Sequence, residues 1–348
     1  MTTATHQRTR PPVRCAIIGC GMIADEYART LTTSDLVRVT ACTDLDIDRA
    51  TDFAARHDIP AVFPLTDLDP AQIDLAIVLT PPATHAPLAH RVIATRISVY
   101  VEKPLALSAT EAHHLLDHAR DAGVLLGAAP DTILAPPLQT ARAAIHAGAI
   151  GPPVAATAAL LSAGPERWHP NPEPFYALGP LYDMGPYYLT TLVHILGPID
   201  HVSAALVTRQ PRRTIRTGPR AGGTFISTAP THVTAFLVTT GGVPITFTAS
   251  FDAPATRTPH IEIHGHDGTL VLPDPNFHTG PVHLYRRDRN RWSELPQGRP
   301  QLGQVGRGIG VLSMAASLLG FTTRHATGDL AAHICAVMNA IYTIDVNG

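Results

Sequence analysis

The stretch "VRCAIIGCGMIADEY", Val13 to Tyr27, decides the fold. Its first half is a short apolar run ending at glycine, the mark of a buried strand. A helical pattern opens at Met22. Between the two, Gly19-Cys20-Gly21-Met22-Ile23-Ala24 forms a G-x-G-x-x-A. Gly19 makes the tight turn, Gly21 lets the backbone approach a pyrophosphate, and Ala24 allows close helix–strand packing. The start of the helix offers free N–H groups to phosphate. A lone match of this kind is weak, but here strand, loop and helix follow in order. Asp44 then ends a second strand, 20 residues beyond Ala24, which completes the context of a dinucleotide site. A carboxylate at Asp44 suits the adenosine ribose and repels a 2′-phosphate, favouring NAD(H). Arg49, one turn on, leaves NADP(H) open as the alternative.

Outward from this loop, strand-like and helical runs alternate as far as "VLLGAA". That alternation predicts a parallel sheet with helices on both faces, a doubly wound α/β Rossmann domain over residues 13–129. Residues 1–12 read as a loose polar tail with no signal-peptide core. The pattern then changes. "PPVAATAALLSA", "HVSAALVTR", "THVTAFLVTT", "VPITFTASF", "HIEIHG", "GTLVLP" and "VHLYRR" are strand-like runs joined by turns such as "TTGG" and "GHDG". They predict an α+β domain over residues 130–348, built on a largely antiparallel sheet. A helix is expected near Tyr182 to Leu196, and another over "DLAAHICAVMNAIYTI".

The stretch "YVEKPLALS" holds Lys103, the single lysine in a chain with 26 basic residues. A lysine amine can be tuned as an acid or base, which a guanidinium cannot. "LTPPATH" and "VEKP" each end a strand, and the carboxyl ends of parallel strands line the ligand crevice. Thr80, His85, Glu102 and Lys103 therefore face a common cleft.

Taken together, G-x-G-x-x-A, T-P-P-x-x-H and E-K-P resemble the glucose-fructose oxidoreductase/inositol dehydrogenase/MocA (Gfo/Idh/MocA) family. "GPLYDMGPYYLTTLVHILGPI" and "IHGHDGTLVL" extend the resemblance into the second half. The resemblance implies that Lys103 hydrogen-bonds the substrate oxygen and moves its proton. It implies that Glu102 holds the nicotinamide ribose, that Pro104 follows a cis peptide bond, and that Thr80, Pro81 and His85 line the cofactor cleft. Asp183 would bind substrate from the second domain. Family dehydrogenases often carry histidine four residues after that aspartate; here the position is Tyr187. The i, i+4 spacing puts Asp183 and Tyr187 on one helix face. A phenol, with an ordinary pKa of about 10, is a poor base at neutral pH. Lys103 nearby should lower that value, and the change favours ketone reduction, in which the phenol gives up a proton.

Composition excludes other classes. A net charge of −2 gives no electrostatic case for nucleic acid or an acidic membrane, and no apolar run approaches a membrane span. The four cysteines show no C-x-x-C spacing, which points to a reducing cytoplasm. His114 and His118 lack a third ligand, so no metal site is expected. The Pro- and Gly-broken run "RQPRRTIRTGPR" reads as a solvated loop. Trp168 and His169 lie in a Pro-rich excursion that could cover the cleft, with His169 standing in for the missing histidine. The expected activity is hydride transfer between NAD(P)(H) and a secondary alcohol or ketone of a sugar, cyclitol or related polyol. The competing readings are a non-enzymatic NAD-dependent sensor and a redox-neutral enzyme that oxidises a sugar transiently. Nicotinamide consumption separates them. The open face of the second sheet predicts a homodimer or homotetramer.

Overall fold

Two sheets organise the chain in the computed structural model, which describes residues 11–300, 302–303, 305–321 and 327–344. The first unit runs through β1 (Val13–Ile18), α1 (Met22–Leu31), β2 (Val37–Thr43), α2 (Ile47–Arg56), β3 (Ala61–Val62), β4 (Leu75–Val78), α3 (His85–Ala94), β5 (Ser98–Val101), α4 (Ala109–Ala122) and β6 (Leu126–Ala128). Its strand order is β3-β2-β1-β4-β5-β6, with every pairing parallel. Every residue of β4, β5 and β6 is buried, as it must be when helices cover both faces. The order reverses between β1 and β4, which opens a crevice at their carboxyl ends. Local chemistry sets the helix boundaries. Asp46 caps α2 by accepting from Arg49 N, Ser108 caps α4 by accepting from Glu111 N, and α4 stops at Gly123 with φ 69°.

The chain continues through α5 (Pro136–His146), β7 (Pro153–Leu161), α6 (Glu173–Asp183), α7 (Gly185–Leu196), β8 (Ile199–Val207), β9 (Arg212–Thr214), β10 (Thr224–Ile226), β11 (His232–Thr239), β12 (Pro244–Ser250), β13 (Ile261–Gly265), β14 (Gly268–Leu272), β15 (His283–Arg286), β16 (Arg291–Glu294), α8 (Ile309–Leu318) and α9 (Gly328–Ile344). The second sheet has the order β16-β15-β14-β13-β7-β12-β11-β8. It is antiparallel except for the β7–β12 pair. In β11, inward Val233, Ala235 and Leu237 are buried while outward Thr234 and Phe236 are exposed, so this sheet is covered on one face.

Three features depart from the sequence expectation. The helix near Tyr182 is two helices, α6 and α7, meeting at Met184. Pro186 sits in the first turn of α7, and its missing N–H favours a new helix start over continuation. The arginine run is partly ordered as the β9–β10 ribbon. Arg213 is not solvated but 5% exposed, because Glu166 and Asp252 pair with it inside the fold. Lastly, α8 was not anticipated. It is apolar on nearly every side, so no helical periodicity marks it. It returns to the first sheet and buries Val311, Leu312, Met314 and Ala315 in the same core as Ile17, Tyr27 and Tyr100. Among the described residues no helix is long and apolar enough to cross a membrane.

Candidate active site

Gly19 turns the chain out of β1 with φ +98°, and a Cβ there would lie 2.9 Å from the Leu79 carbonyl and from Thr80 Cγ2. No side chain fits that approach. Open space surrounds the equivalent point on Gly21. No side chain caps α1, so its first N–H groups are not taken by a cap. Met22 is exposed and Ile23 half-buried at this end, while Ala24 is fully buried against the sheet. Cys20 is a buried filler whose N–H donates to Asp44 Oδ2 at 2.8 Å. Asp44 Oδ1 accepts from Asp46 N at 2.9 Å, with Arg49 Nη1 at 3.5 Å. Asp44 thus braces the loop. A turn closed to side chains, an open helix end and a carboxylate after β2 fit a dinucleotide.

The β4 loop carries Thr80, Pro81 and His85. Thr84 Oγ1 donates to Thr80 Oγ1 at 2.7 Å. His85 is 1% exposed. Its Nδ1 lies 2.7 Å from the Pro104 oxygen and its Nε2 lies 2.6 Å from the Thr80 oxygen. The ring therefore ties the β4 loop to the β5 loop and leaves neither nitrogen free for a ligand. Burial pulls its pKa down, against the pull of the two carbonyls.

β5 delivers Glu102 and Lys103. Glu102 N donates to Val78 O at 2.8 Å, extending the strand pairing by one residue. Glu102 is buried, accepting from Tyr27 Oη at 3.0 Å and from Lys103 N at 2.7 Å. The Lys103–Pro104 bond is cis. Lys103 Nζ donates to the Asp183 main-chain oxygen at 2.6 Å and to Asp183 Oδ1 at 3.0 Å. It also lies 5.5 Å from the Tyr187 ring centroid. Although α6 and α7 are separate, Asp183 at the end of one and Tyr187 in the first turn of the other both reach Lys103.

Burial alone would lower the lysine's pKa. Asp183, then Tyr187 and Glu102, outweigh it, and the ammonium is held above the ordinary lysine value. Tyr187 is 3% exposed. Burial pushes its phenol up to about 12, against the pull of Lys103 and Arg307. The expected lowering by Lys103 is present, but desolvation exceeds it. Both groups carry their protons at neutral pH.

Sequence reasoning missed four contributors. Arg307 Nη1 donates to Tyr187 Oη at 2.8 Å, and its Nη2 donates to Asn276 Oδ1 at 2.8 Å. Arg307 stands between Gly306 and Gly308, both at positive φ. Asp131, 1% exposed, accepts from Gly308 N at 2.8 Å and Gly310 N at 3.0 Å, and His278 Nε2 lies 3.1 Å from its other oxygen. The G-R-G spacing in "QVGRGIG" was the available signal, but nothing local says which residue it faces.

Trp168 and His169 make their ring contacts with each other and with Phe175. His169 Nδ1 accepts from Asn171 N at 3.0 Å. These contacts stay within the excursion and do not join it to Lys103. His118 Nδ1 pairs with His90 Nδ1 at 2.9 Å between α4 and α3. Among the described residues no three His, Cys, Asp or Glu side chains converge as a metal site.

Comparison with known proteins agrees with this fold. The "Oxidoreductase family, NAD-binding Rossmann fold" description matches residues 13–129, and the "GFO/IDH/MocA C-terminal domain" matches residues 138–271. The chain is 27% identical over 289 residues to dTDP-3,4-didehydro-2,6-dideoxy-alpha-D-glucose 3-reductase of Streptomyces antibioticus, covering 77% of this chain and 86% of that one. A solved NAD binding oxidoreductase from Klebsiella pneumoniae superposes with TM-score 0.83 at 22% identity, over 97% of each chain. A 3-ketoreductase from Actinomadura kijaniata, in complex with TDP-benzene and NADP, superposes with TM-score 0.73 at 24% identity, over 95% of this chain and 97% of that one. Matched by two domain models of one family over residues 13–129 and 138–271, the chain belongs to the GFO/IDH/MocA family of NAD-binding oxidoreductases.

Proposed function

We propose that the protein reduces a ketone on a sugar, cyclitol or related polyol, with NAD(H) as the favoured cofactor. One observation carries the reading: two groups that both hold a proton at neutral pH, Lys103 and Tyr187, meet at the end of β5. An ammonium has three N–H donors. Asp183 takes two of those on Lys103, and among the described residues nothing takes the third, which would serve a substrate oxygen. Tyr187 accepts from Arg307, so its own O–H is also free to donate. When bound, the nicotinamide supplies the hydride. Lys103 and Tyr187 then orient the ketone oxygen by hydrogen bonding, and Tyr187 gives it the proton that completes the alcohol. Asp183 keeps Lys103 charged and aimed. General acid help of this kind is worth ~10²–10⁴ in rate.

Gly19 to Ala24 would hold the pyrophosphate and Asp44 the adenosine ribose. Arg49 beside Asp44 supports some use of NADP(H). Thr80, Pro81 and Glu102 would flank the nicotinamide side. The 27% identical relative named as a keto-sugar reductase supports this substrate class. Four free, buried cysteines agree with a reducing cytoplasm. A second copy covering the open sheet face around Phe236, 47% exposed, would complete the assembly.

The test is NADH and NADPH consumption, followed by absorbance, with 3-ketoglucose, inososes, glucose and myo-inositol. Lys103→Met is the control, with nucleotide affinity measured separately. A fall in turnover of less than about tenfold in that variant would overturn the role of Lys103 in orienting the ketone oxygen.

A further inference from the structure

The half-buried guanidinium of Arg307 touches the atom on which the reading above depends. Arg307 Nη1 donates to Tyr187 Oη at 2.8 Å, and its carbon Cζ lies 5.3 Å from the ring centroid. Its other arm donates to Asn276 Oδ1 at 2.8 Å. The backbone that carries it is fixed by Asp131 Oδ2, which accepts from Gly308 N and Gly310 N. Asp131 is anchored in turn by His278. Two glycines at φ +156° and +102° let the chain fold tightly around Arg307. This is a rigid mount for one cation, aimed at one hydroxyl.

We propose that Arg307 is the positioning residue for Tyr187. It fixes the phenol oxygen by donating to it, leaves the phenol's own proton directed at substrate, and holds the negative charge once that proton has gone. The inference rests on the reading of Tyr187 as the proton donor. A phenol that accepts an N–H from a cation has used one lone pair, and its O–H must turn elsewhere. After proton transfer the oxygen becomes anionic inside the fold, where an uncompensated charge is costly. Lys103 faces the same ring, while Glu102 and Asp183 oppose ionisation. Two of the three N–H groups of Lys103 are already given to Asp183. Arg307 is the cation bonded to the oxygen itself. A charge-assisted hydrogen bond of this kind is about twice as strong as a neutral one.

The inference predicts a change in Tyr187 that needs no substrate to observe. Placing 3,5-difluorotyrosine at position 187 gives a more acidic phenol whose ionisation is followed by fluorine NMR. In Arg307→Met its pKa should rise by about one unit or more. In Arg307→Lys, which keeps a cation, at least half of that rise should disappear. Should Arg307→Met fail to fold, Asn276→Ala releases the second arm without removing the charge. A rise of about 0.5 units is then expected. The proposal is overturned by a shift below about 0.3 units in Arg307→Met, or in Asn276→Ala where that stands in. It is also overturned by an Arg307→Lys shift as large as that of Arg307→Met. Ketone reduction is scored separately, by Tyr187→Phe with NADH and 3-ketoglucose. Undiminished turnover there removes Tyr187 as the donor even if the fluorine titration behaves as expected, so the two failures are distinct.

Discussion

Lys103 and Asp183, 80 residues apart, are joined twice. The ammonium donates to the aspartate's main-chain oxygen at 2.6 Å and to its carboxylate at 3.0 Å. The first bond depends on where α6 ends and the second on what the side chain is. A substitution at 183 therefore alters the charge next to Lys103 without releasing its amine completely.

Lys103→Arg should lower turnover by about 100-fold or more, with nucleotide affinity changed less than about threefold. A guanidinium keeps the charge, but its planar fork does not match the paired bonds to Asp183 and so loses the N–H that orients the ketone oxygen. Steady-state kinetics with NADH fluorescence titration checks both halves.

Asp183→Asn removes the counter-charge that holds the Lys103 pKa up. The high-pH limb of activity should move down by about one unit or more. The same pair bears on stability, and the sign is fixed. Because the folded pKa lies above the unfolded value, the stabilisation is complete below about 10.4. It is lost as pH rises through the folded pKa. Wild-type protein should show no stability loss from this pair between pH 6 and about 9, which denaturant titrations across that range will measure.

Gly19→Ala should lower stability by about 1–2 kcal/mol, since φ +98° is strained for any residue with a Cβ. The added methyl would also press on the Leu79 backbone at 2.9 Å. Urea unfolding and loss of NADH binding are the two readouts, and both should change.

Asp131→Asn should cost about 1–3 kcal/mol at neutral pH. Burial alone would raise the pKa of Asp131, but His278 and the amides of Gly310 and Gly308 hold it below the ordinary carboxylate range. Its stabilisation is therefore complete above about 3.9, the unfolded value, and is lost as pH falls through the folded one. The gap between wild type and variant should narrow as unfolding is measured at progressively lower pH.

The parts of the site that could be read from sequence are those built from neighbours in the chain. Gly19, Gly21 and Ala24 are marked by spacing, because a tight turn into a helix needs small residues at those positions. Lys103 stood out because arginine fills every other cationic position, and its place at a strand end followed from strand–helix alternation. Asp183 and Tyr187 came from a family resemblance, and the helix break between them is marked in the sequence by Gly185-Pro186.

Sequence by itself determined the parallel sheet, its nucleotide loop and the identity of the amine. Each of these follows from hydrophobic period and local backbone geometry. Tertiary structure alone decided what surrounds the amine. It closed His85 between two carbonyls, paired Lys103 with Asp183, and brought Arg307 across 120 positions to the Tyr187 hydroxyl. The last of these pairings depends on how α8 folds back onto the first sheet. The pairings also set protonation, because burial and neighbouring charge act through space and leave no periodic trace in the chain.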